Sequence, residues 1–427
     1  MNLTHRFFQI FIPRIAFQSS GLVILFALVH TVSDAVTNML SALLPTIQSR
    51  FGLSETLLAL LVAALSFSAL MTQPLFGALA DRLGNRRIAA LGIMLNAVLF
   101  SLIGIVPSVP MLFGLIMIGG LASAALHPAI ASMARQVGGK KPELAVGLFS
   151  AGGTLGIAIG PIIIMLLLAN LGLSFTPWLM IPGIVFGALI FLLPPDDIQT
   201  TALSIGKLVD FSLLRGPVGL LALTGILSNV AFVTFTSAMP LWLVREHNLA
   251  SNSTVIGWTL SAFSLAAAFG GIAGGLISNK FGAKRLIVSS LLLALLPLYS
   301  IFFLTPGSPL YFMMVLLAGA LVNAGMPMLI VSAQDHSPKA AATAAGMLMG
   351  FSAGVAGLVY VGIGRLQENL GLAPAIMVGY LALVAGALFA MVAIKPEKQS
   401  NSAIDTVSCL CSPCIEQNIA AYPTRMK

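Results

Sequence analysis

An eleven-residue phrase occurs twice in this chain, 198 positions apart, each time between long apolar stretches. The first copy is Gly77-Ala-Leu-Ala-Asp81-Arg82-Leu-Gly84-Asn-Arg86-Arg87, and the second is Gly275-Leu-Ile-Ser-Asn279-Lys280-Phe-Gly282-Ala-Lys284-Arg285. Glycines and basic residues recur at the same offsets, so the chain reads as a duplicated unit. A loop this charged can follow an apolar helix only where it lies outside the hydrocarbon, on the side where Lys and Arg collect.

The rest of the chain agrees with a membrane setting. Only 8% of its residues are charged and 58% are hydrophobic, whereas a soluble domain carries about a quarter charged residues. A helix needs about 20 apolar residues to cross a bilayer, and such runs must be helical because lipid offers no partners to free backbone groups. Twelve spans are predicted, at 18-47, 54-80, 87-106, 109-135, 143-170, 174-194, 216-244, 254-279, 286-304, 309-333, 340-364 and 372-394. The first apolar run lacks a following polar region with a small-residue cleavage site, so it is expected to remain as a span.

The predicted organisation is an all-α membrane protein of two pseudo-symmetric six-helix bundles, 1-194 and 216-394. A cytoplasmic linker at 195-215 joins them, and a polar tail follows at 395-427, expected to be disordered. With both termini in the cytoplasm, 18 of the 21 basic residues fall on the inside. Only Arg50, Arg245 and Arg365 fall outside, a strong positive-inside bias. The net charge of +8 is then a topology signal that meets anionic lipid, and nucleic acid is not an expected partner. All three cysteines (Cys409, Cys411, Cys414) lie in the tail. A closed zinc site wants four ligands, and no histidine lies near them, so no metal centre is expected.

The duplication extends outward from the phrase. Pro45 aligns with Pro240, His127-Pro128 with Met326-Pro327, and Gly147 with Gly346. Two parallel-related halves of this kind form transporters whose site lies near mid-membrane at their interface. The halves differ in their ionisable groups: Asp34 aligns with Asn229, His30 with Gly225, His127 with Met326, Arg135 with Gln334, and Asp81 with Asn279.

Gly77, Asp81, Arg82, Gly84, Arg86 and Arg87 match the loop signature of the major facilitator superfamily, which the chain resembles over residues 18-394. Within it the chain resembles the fosmidomycin-resistance branch of efflux transporters, through His30, Asp34, Pro45, Gln48-Ser-Arg-Phe, His127-Pro128 and Ala134-Arg135. That resemblance implies a secondary transporter of the cytoplasmic (inner) membrane working by alternating access, with the loop phrase as a cytoplasmic latch. The branch carries a carboxylate and a further basic residue after its His-Pro pair, where this chain has Ala129 and Ser132. With no Lys or Arg at mid-membrane, an anion has only histidine to meet it, and a neutral or cationic substrate fits at least as well.

Several residues carry the expected mechanism. His30 and Asp34 are spaced i, i+4 and share a helix face, which Thr37 or Asn38 extends. An acid at mid-span costs roughly 2.5–3.5 kcal/mol on insertion scales and marks a functional candidate. Asp34, His30 and His127 are therefore the proton-coupling candidates, the alternative being a His–Asp hydrogen bond that only tethers helices. His127 precedes Pro128, whose missing N–H frees a carbonyl one turn back, so it could instead satisfy that backbone. Thr37, Asn38, Asn229, Phe232, Thr236, Asn323 and Met326 are the candidate substrate lining. Gly147, Gly156, Gly160 and Pro161 resemble the antiporter signature of drug–proton exchangers without its trailing glycines, and small residues at that spacing also pack helices closely. Arg135 is read as an interface anchor that snorkels.

The expected function is proton-coupled antiport of a small molecule, by a monomer needing no cofactor. The alternatives are uptake by proton symport and a non-transporting membrane sensor, though neither the linker nor the tail supplies an output domain. No nucleophile–base set or phosphate-binding loop is present, which argues against an enzyme.

Overall fold

In the computed structural model, residues 19–139, 142–193, 214–338 and 341–394 are described. Most of the linker at 195–215, the tail at 395–427 with its three cysteines, and Lys140 and Lys141 lie outside them. The described residues are helical and contain no strand. In the first half, α1 runs Ser19–Phe51, α2 Glu55–Ser66, α3 Gln73–Leu83, α4 Asn85–Ser101, α5 Val109–Val137, α6 Pro142–Asn170 and α7 Met180–Leu192. In the second, α8 runs Pro217–Arg245, α9 Thr254–Phe281, α10 Ala283–Ser300, α11 Pro309–Ala324, α12 Met326–His336, α13 Ala341–Gly346, α14 Ser352–Leu370, α15 Leu372–Tyr380 and α16 Ala382–Ala393.

Eleven helical runs are long and apolar enough to cross a membrane. A bent pair, Glu55–Met71 with Gln73–Leu83, makes up to twelve. The bent pair is the span that ends in the first copy of the phrase. Its 42° break follows a π-helical turn at Phe67–Met71, with Pro74 in the first turn beyond. Both are recognised causes of a kink.

The outer surface is apolar, as hydrocarbon requires. Phe303 is 83% exposed, Leu276 74% and Leu296 67%, among many exposed large apolar side chains of the kind that water-soluble monomers rarely present together. Some buried polar groups bond one another across helices. Asn96 on α4 donates from Nδ2 to Thr37 Oγ1 on α1 at 3.0 Å, and Ser33 Oγ donates to Asn96 Oδ1 at 3.4 Å.

The two phrase copies fold alike because each needs the same glycine. Gly84 ends α3 and opens α4 at φ 97°, and Gly282 ends α9 and opens α10 at φ 78°. Each donates its N–H back one turn, to Ala80 O and Ser278 O respectively. This backbone region is costly for any residue with a Cβ, which explains why the glycine recurs at that offset.

The most extensive contacts between the halves are α2 with α14 and α6 with α9, and α1 also meets α8. The polar contacts below, which cross between the halves, all lie at the end carrying few basic residues. Glu55 on α2 forms an ion pair with Arg245 on α8. The Thr56 N–H donates to Glu368 Oε1 at 3.0 Å, and Thr46 Oγ1 to Ser251 O at 3.4 Å. Glycines bring the backbones together there: a Cβ on Gly364 would stand 2.9 Å from Glu55 O, and one on Gly257 2.7 Å from Pro161 O. Beyond Met71 the bend redirects α3, which packs on α5 and α4 of its own half.

Candidate functional site

Asp34 sits between two histidines. Its Oδ2 lies 3.3 Å from His30 Nε2 on the same helix face, and its Oδ1 lies 3.1 Å from His127 Nε2 on α5. The side chains of His30, Asp34 and His127 are 10%, 13% and 19% exposed, so the cluster is enclosed but reachable. The imidazoles meet edge to face with centroids 4.7 Å apart, and the His30 ring stacks on Phe149 at 4.1 Å.

The far side of each ring is anchored to backbone. His30 Nδ1 donates to Phe149 O on α6 at 2.8 Å, and His127 Nδ1 donates to Ser123 O at 2.6 Å. A carbonyl oxygen can only accept, so each Nδ1 carries the hydrogen, and a neutral ring then has a bare lone pair on Nε2. Both bare nitrogens would face a carboxylate oxygen. Such a contact is attractive only with a cation or a proton between the two atoms.

Glycines on α6 make the arrangement possible. A Cβ on Gly153 would fall on the His30 ring, and one on Gly156 would stand 3.0 Å from both Asp34 Cβ and Ala35 N. Gly152 and Gly160 likewise press α6 onto the carbonyls of Ala27 and Ala35. Small residues at this spacing let helix backbones touch, and here the touching helix is the one carrying the acid. Thr31 Oγ1 adds a bond to Gly152 O at 2.8 Å.

The other sequence candidates divide. Gly156, Gly160 and Pro161 stand at close helix contacts, whereas a Cβ on Gly147 would meet no described atom within 4 Å. The packing expected at Gly147 is found instead at Gly152 and Gly153. Thr37 is turned away from the Asp34 stripe and buried against α4, where Asn96 holds it. It lies three residues past Asp34, one step round the helix. Asn38 stays beside the cluster, half-buried, and donates from Nδ2 to Asp34 O at 2.8 Å.

In the second half, Asn229 is half-buried and bonds Gly225 O of its own helix at 2.9 Å. Phe232, Thr236 and Met326 are also half-buried, and Thr236 Oγ1 bonds Phe232 O at 3.1 Å. Asn323 bridges α11 to α9 through Ala267 O at 2.9 Å. His127 does take a local backbone partner, yet that partner is Ser123 O and not the Ala124 carbonyl freed by Pro128.

In the loop phrase, Gly77 faces Pro128, whose Cβ would lie 3.4 Å from an added Cβ. Arg86 lies over the Phe191 ring at 5.9 Å. Asp81 is half-buried and Arg82 and Arg87 are exposed. Asp81 enters none of the four ion pairs between described residues named here: His30–Asp34, His127–Asp34, Glu55–Arg245 and Arg365–Glu368.

Sequence reasoning missed Phe149, Asn96 and the pairing of Glu55 with Arg245. Phe149 contributes a carbonyl and a ring stacked on His30, and one phenylalanine in an apolar run does not stand out from its neighbours. Asn96 did carry a signal, as a lone amide inside an apolar run. The outside location of Arg245 was legible, but its partner, 190 positions away, was not.

Comparison with known proteins bears on the fold and the family. The Fosmidomycin resistance protein of Escherichia coli (strain K12) is 22% identical over 365 residues, covering 82% of this chain and 87% of that protein. The uncharacterized MFS-type transporter YfnC of Bacillus subtilis (strain 168) is 25% identical over 373 residues, covering 83% and 88%. Among solved structures, a bacterial homolog of the human lysosomal transporter Spinster, inward-facing and occupied, superposes with a TM-score of 0.71 at 19% identity. It covers 88% of this chain and 97% of that one. The nucleoside transporter NupG superposes with a TM-score of 0.73 at 14% identity, covering 88% and 100%. The description of the Major Facilitator Superfamily matches residues 26–361. The chain is accordingly a multi-pass membrane transporter and not an enzyme, and it belongs to the major facilitator superfamily.

Proposed function

We propose that this transporter is a proton-coupled antiporter that exports a small molecule from the cytoplasm, with Asp34 as the proton-exchanging group and His30 and His127 as its partners. The observation that carries this reading is the Asp34 carboxylate held 3.1 and 3.3 Å from two imidazole nitrogens whose rings are anchored from behind. Protons that enter or leave those contacts change the attraction between α1 and α5. That is the coupling a carrier needs between protonation and shape.

The moving bodies in this reading are the halves 1-194 and 216-394, joined by 195-215. The basic-rich end faces the cytoplasm by the positive-inside bias, with both termini on that side, in the cytoplasmic (inner) membrane. The Glu55–Arg245 pair and its neighbours close the outer end, and the bend past Met71 leaves the cytoplasmic end to open. Gly77, Asp81, Arg82, Gly84, Arg86 and Arg87 act as the latch of the opposite state, one-sided because the second copy has lost its acid. Asn38, Asn229, Phe232, Thr236, Asn323 and Met326 line the substrate path, and Thr37 supports it from behind through Asn96. Export and drug resistance are favoured by the likeness to a protein named for fosmidomycin resistance. The protein works as a monomer.

The test uses purified protein in liposomes with an imposed proton gradient and a panel of cationic, neutral and anionic compounds. At least one compound should move against the proton flux, and Asp34→Asn, inserted and folded, should lose the pH dependence of that movement. An unchanged pH profile in Asp34→Asn, or proton flux unaffected by any compound, would sink the reading.

A further inference from the structure

The groups around Asp34 also form a ligand set. We propose that His30 Nε2, His127 Nε2 and the Asp34 carboxylate bind a divalent transition-metal cation of the zinc–cobalt–nickel class, leaving at least one coordination position unfilled by the protein. Among the described residues these ligand atoms all lie within 4.8 Å of one another. Each imidazole nitrogen meets its own Asp34 oxygen, His127 Nε2 at 3.1 Å from Oδ1 and His30 Nε2 at 3.3 Å from Oδ2. Each distance is close to the edge of a tetrahedron with metal–ligand bonds of about 2.0–2.1 Å, which is about 3.3 Å; an ion between the rings would take both oxygens or draw one of them toward it. The widest separation, up to 4.8 Å, would need to close by about 1.5 Å to reach that edge.

The outer shell is already in place. Metal-bound imidazoles nearly always donate their other ring N–H to a carbonyl or carboxylate. Here His30 Nδ1 does so to Phe149 O and His127 Nδ1 to Ser123 O. Those bonds select the tautomer whose Nε2 lone pair points at Asp34, as a metal requires. Two imidazoles and one carboxylate suit zinc and the neighbouring first-row divalent ions, iron(II) included, whereas calcium and magnesium take oxygen ligands. Three protein ligands leave the open position typical of reactive rather than structural sites. A cation held there occupies the space in which Asp34 would exchange protons. Its inhibition of proton-driven transport rests on the reading above, but its binding does not.

The test is a Co²⁺ titration of the purified chain in detergent. It carries Cys409→Ser, Cys411→Ser and Cys414→Ser and a purification tag without histidine, so that the tail cannot supply ligands. One Co²⁺ per chain should bind with the visible d–d bands of a low-coordinate site, and Zn²⁺ should bleach them. Asp34→Asn and His127→Gln should weaken binding at least tenfold while eluting as the parent does. His127→Cys should retain the metal and gain a thiolate-to-cobalt charge-transfer band, a signal that misfolding cannot produce. Absence of Co²⁺ binding in the cysteine-free chain, binding unchanged in Asp34→Asn, or no charge-transfer band in a Co²⁺-loaded His127→Cys chain would each overturn the site. Transport driven by protons in the presence of EDTA tests the proton reading separately, and its failure would leave the titration unaffected.

Discussion

Asp34 on α1 contacts His127 on α5 across 3.1 Å, although 93 positions separate them in the chain. The same carboxylate reaches His30 through its other oxygen. One acid therefore ties two helices, and removing its charge should affect transport more than assembly. Asp34→Asn keeps the shape and can still hydrogen-bond. Its melting temperature in detergent should fall by only a few degrees, while proton-driven transport falls at least tenfold. A large loss of folded protein, with residual transport in proportion, would show that the group is a tether.

Gly153 and Gly147 make a controlled pair on α6. An alanine at 153 places a methyl on the His30 ring, and overpacking of this kind costs about 1–3 kcal/mol. At 147 the methyl meets open space, and alanine favours a helix over glycine by about 1 kcal/mol. Thermal unfolding should show Gly153→Ala destabilised and disturbed in transport, with Gly147→Ala unchanged or slightly more stable.

The twin turns predict matched defects. Gly84 and Gly282 hold φ of 97° and 78°, and a residue with a Cβ held in such a region costs on the order of 1–3 kcal/mol. Gly84→Ala and Gly282→Ala should lose similar stability by chemical denaturation, because the backbone requirement is the same in both copies. Asp81 and Asn279, in contrast, differ in charge, so Asp81→Asn should change transport while Asn279→Asp need not restore it.

The Glu55–Arg245 pair is half in solvent, since the Arg245 side chain is 50% exposed and Glu55 10%. Its coupling in a double-mutant cycle should therefore be modest, about 1 kcal/mol. The larger effect should be on conformation. Spin labels at positions 46 and 251, which flank the same closure, should report longer distances in Glu55→Gln and in Arg245→Gln. The exchanged pair Glu55→Arg with Arg245→Glu should restore the short distance.

The spans were legible from the chain because lipid forces every long apolar run into a helix. Predicted and observed ends differ by a few residues, most at the eleventh span, read to 364 and found to end at Leu370. The second span was read only as its bounds, 54-80, and its π-helical turn at Phe67–Met71 has no residue pattern that distinguishes it from ordinary helix. His30 and Asp34 were legible as a pair because an i, i+4 spacing is a local property. His127 came from resemblance to a family together with a depth along its span near that of His30. Of the two residues offered to extend the stripe, Thr37 is buried and bonded to Asn96, and Asn38 is half-buried beside Asp34.

Apolar run length, the doubled phrase and the uneven distribution of Lys and Arg are properties of the chain read along its length. They were enough for helix number, duplication and membrane residence. The meeting of Asp34 with His127, the carbonyls behind both rings, and the Glu55–Arg245 closure were decided only by packing. Each depends on how closely two helices cross, and that distance is set where glycine on one helix meets backbone on another. No local pattern records which backbone that will be.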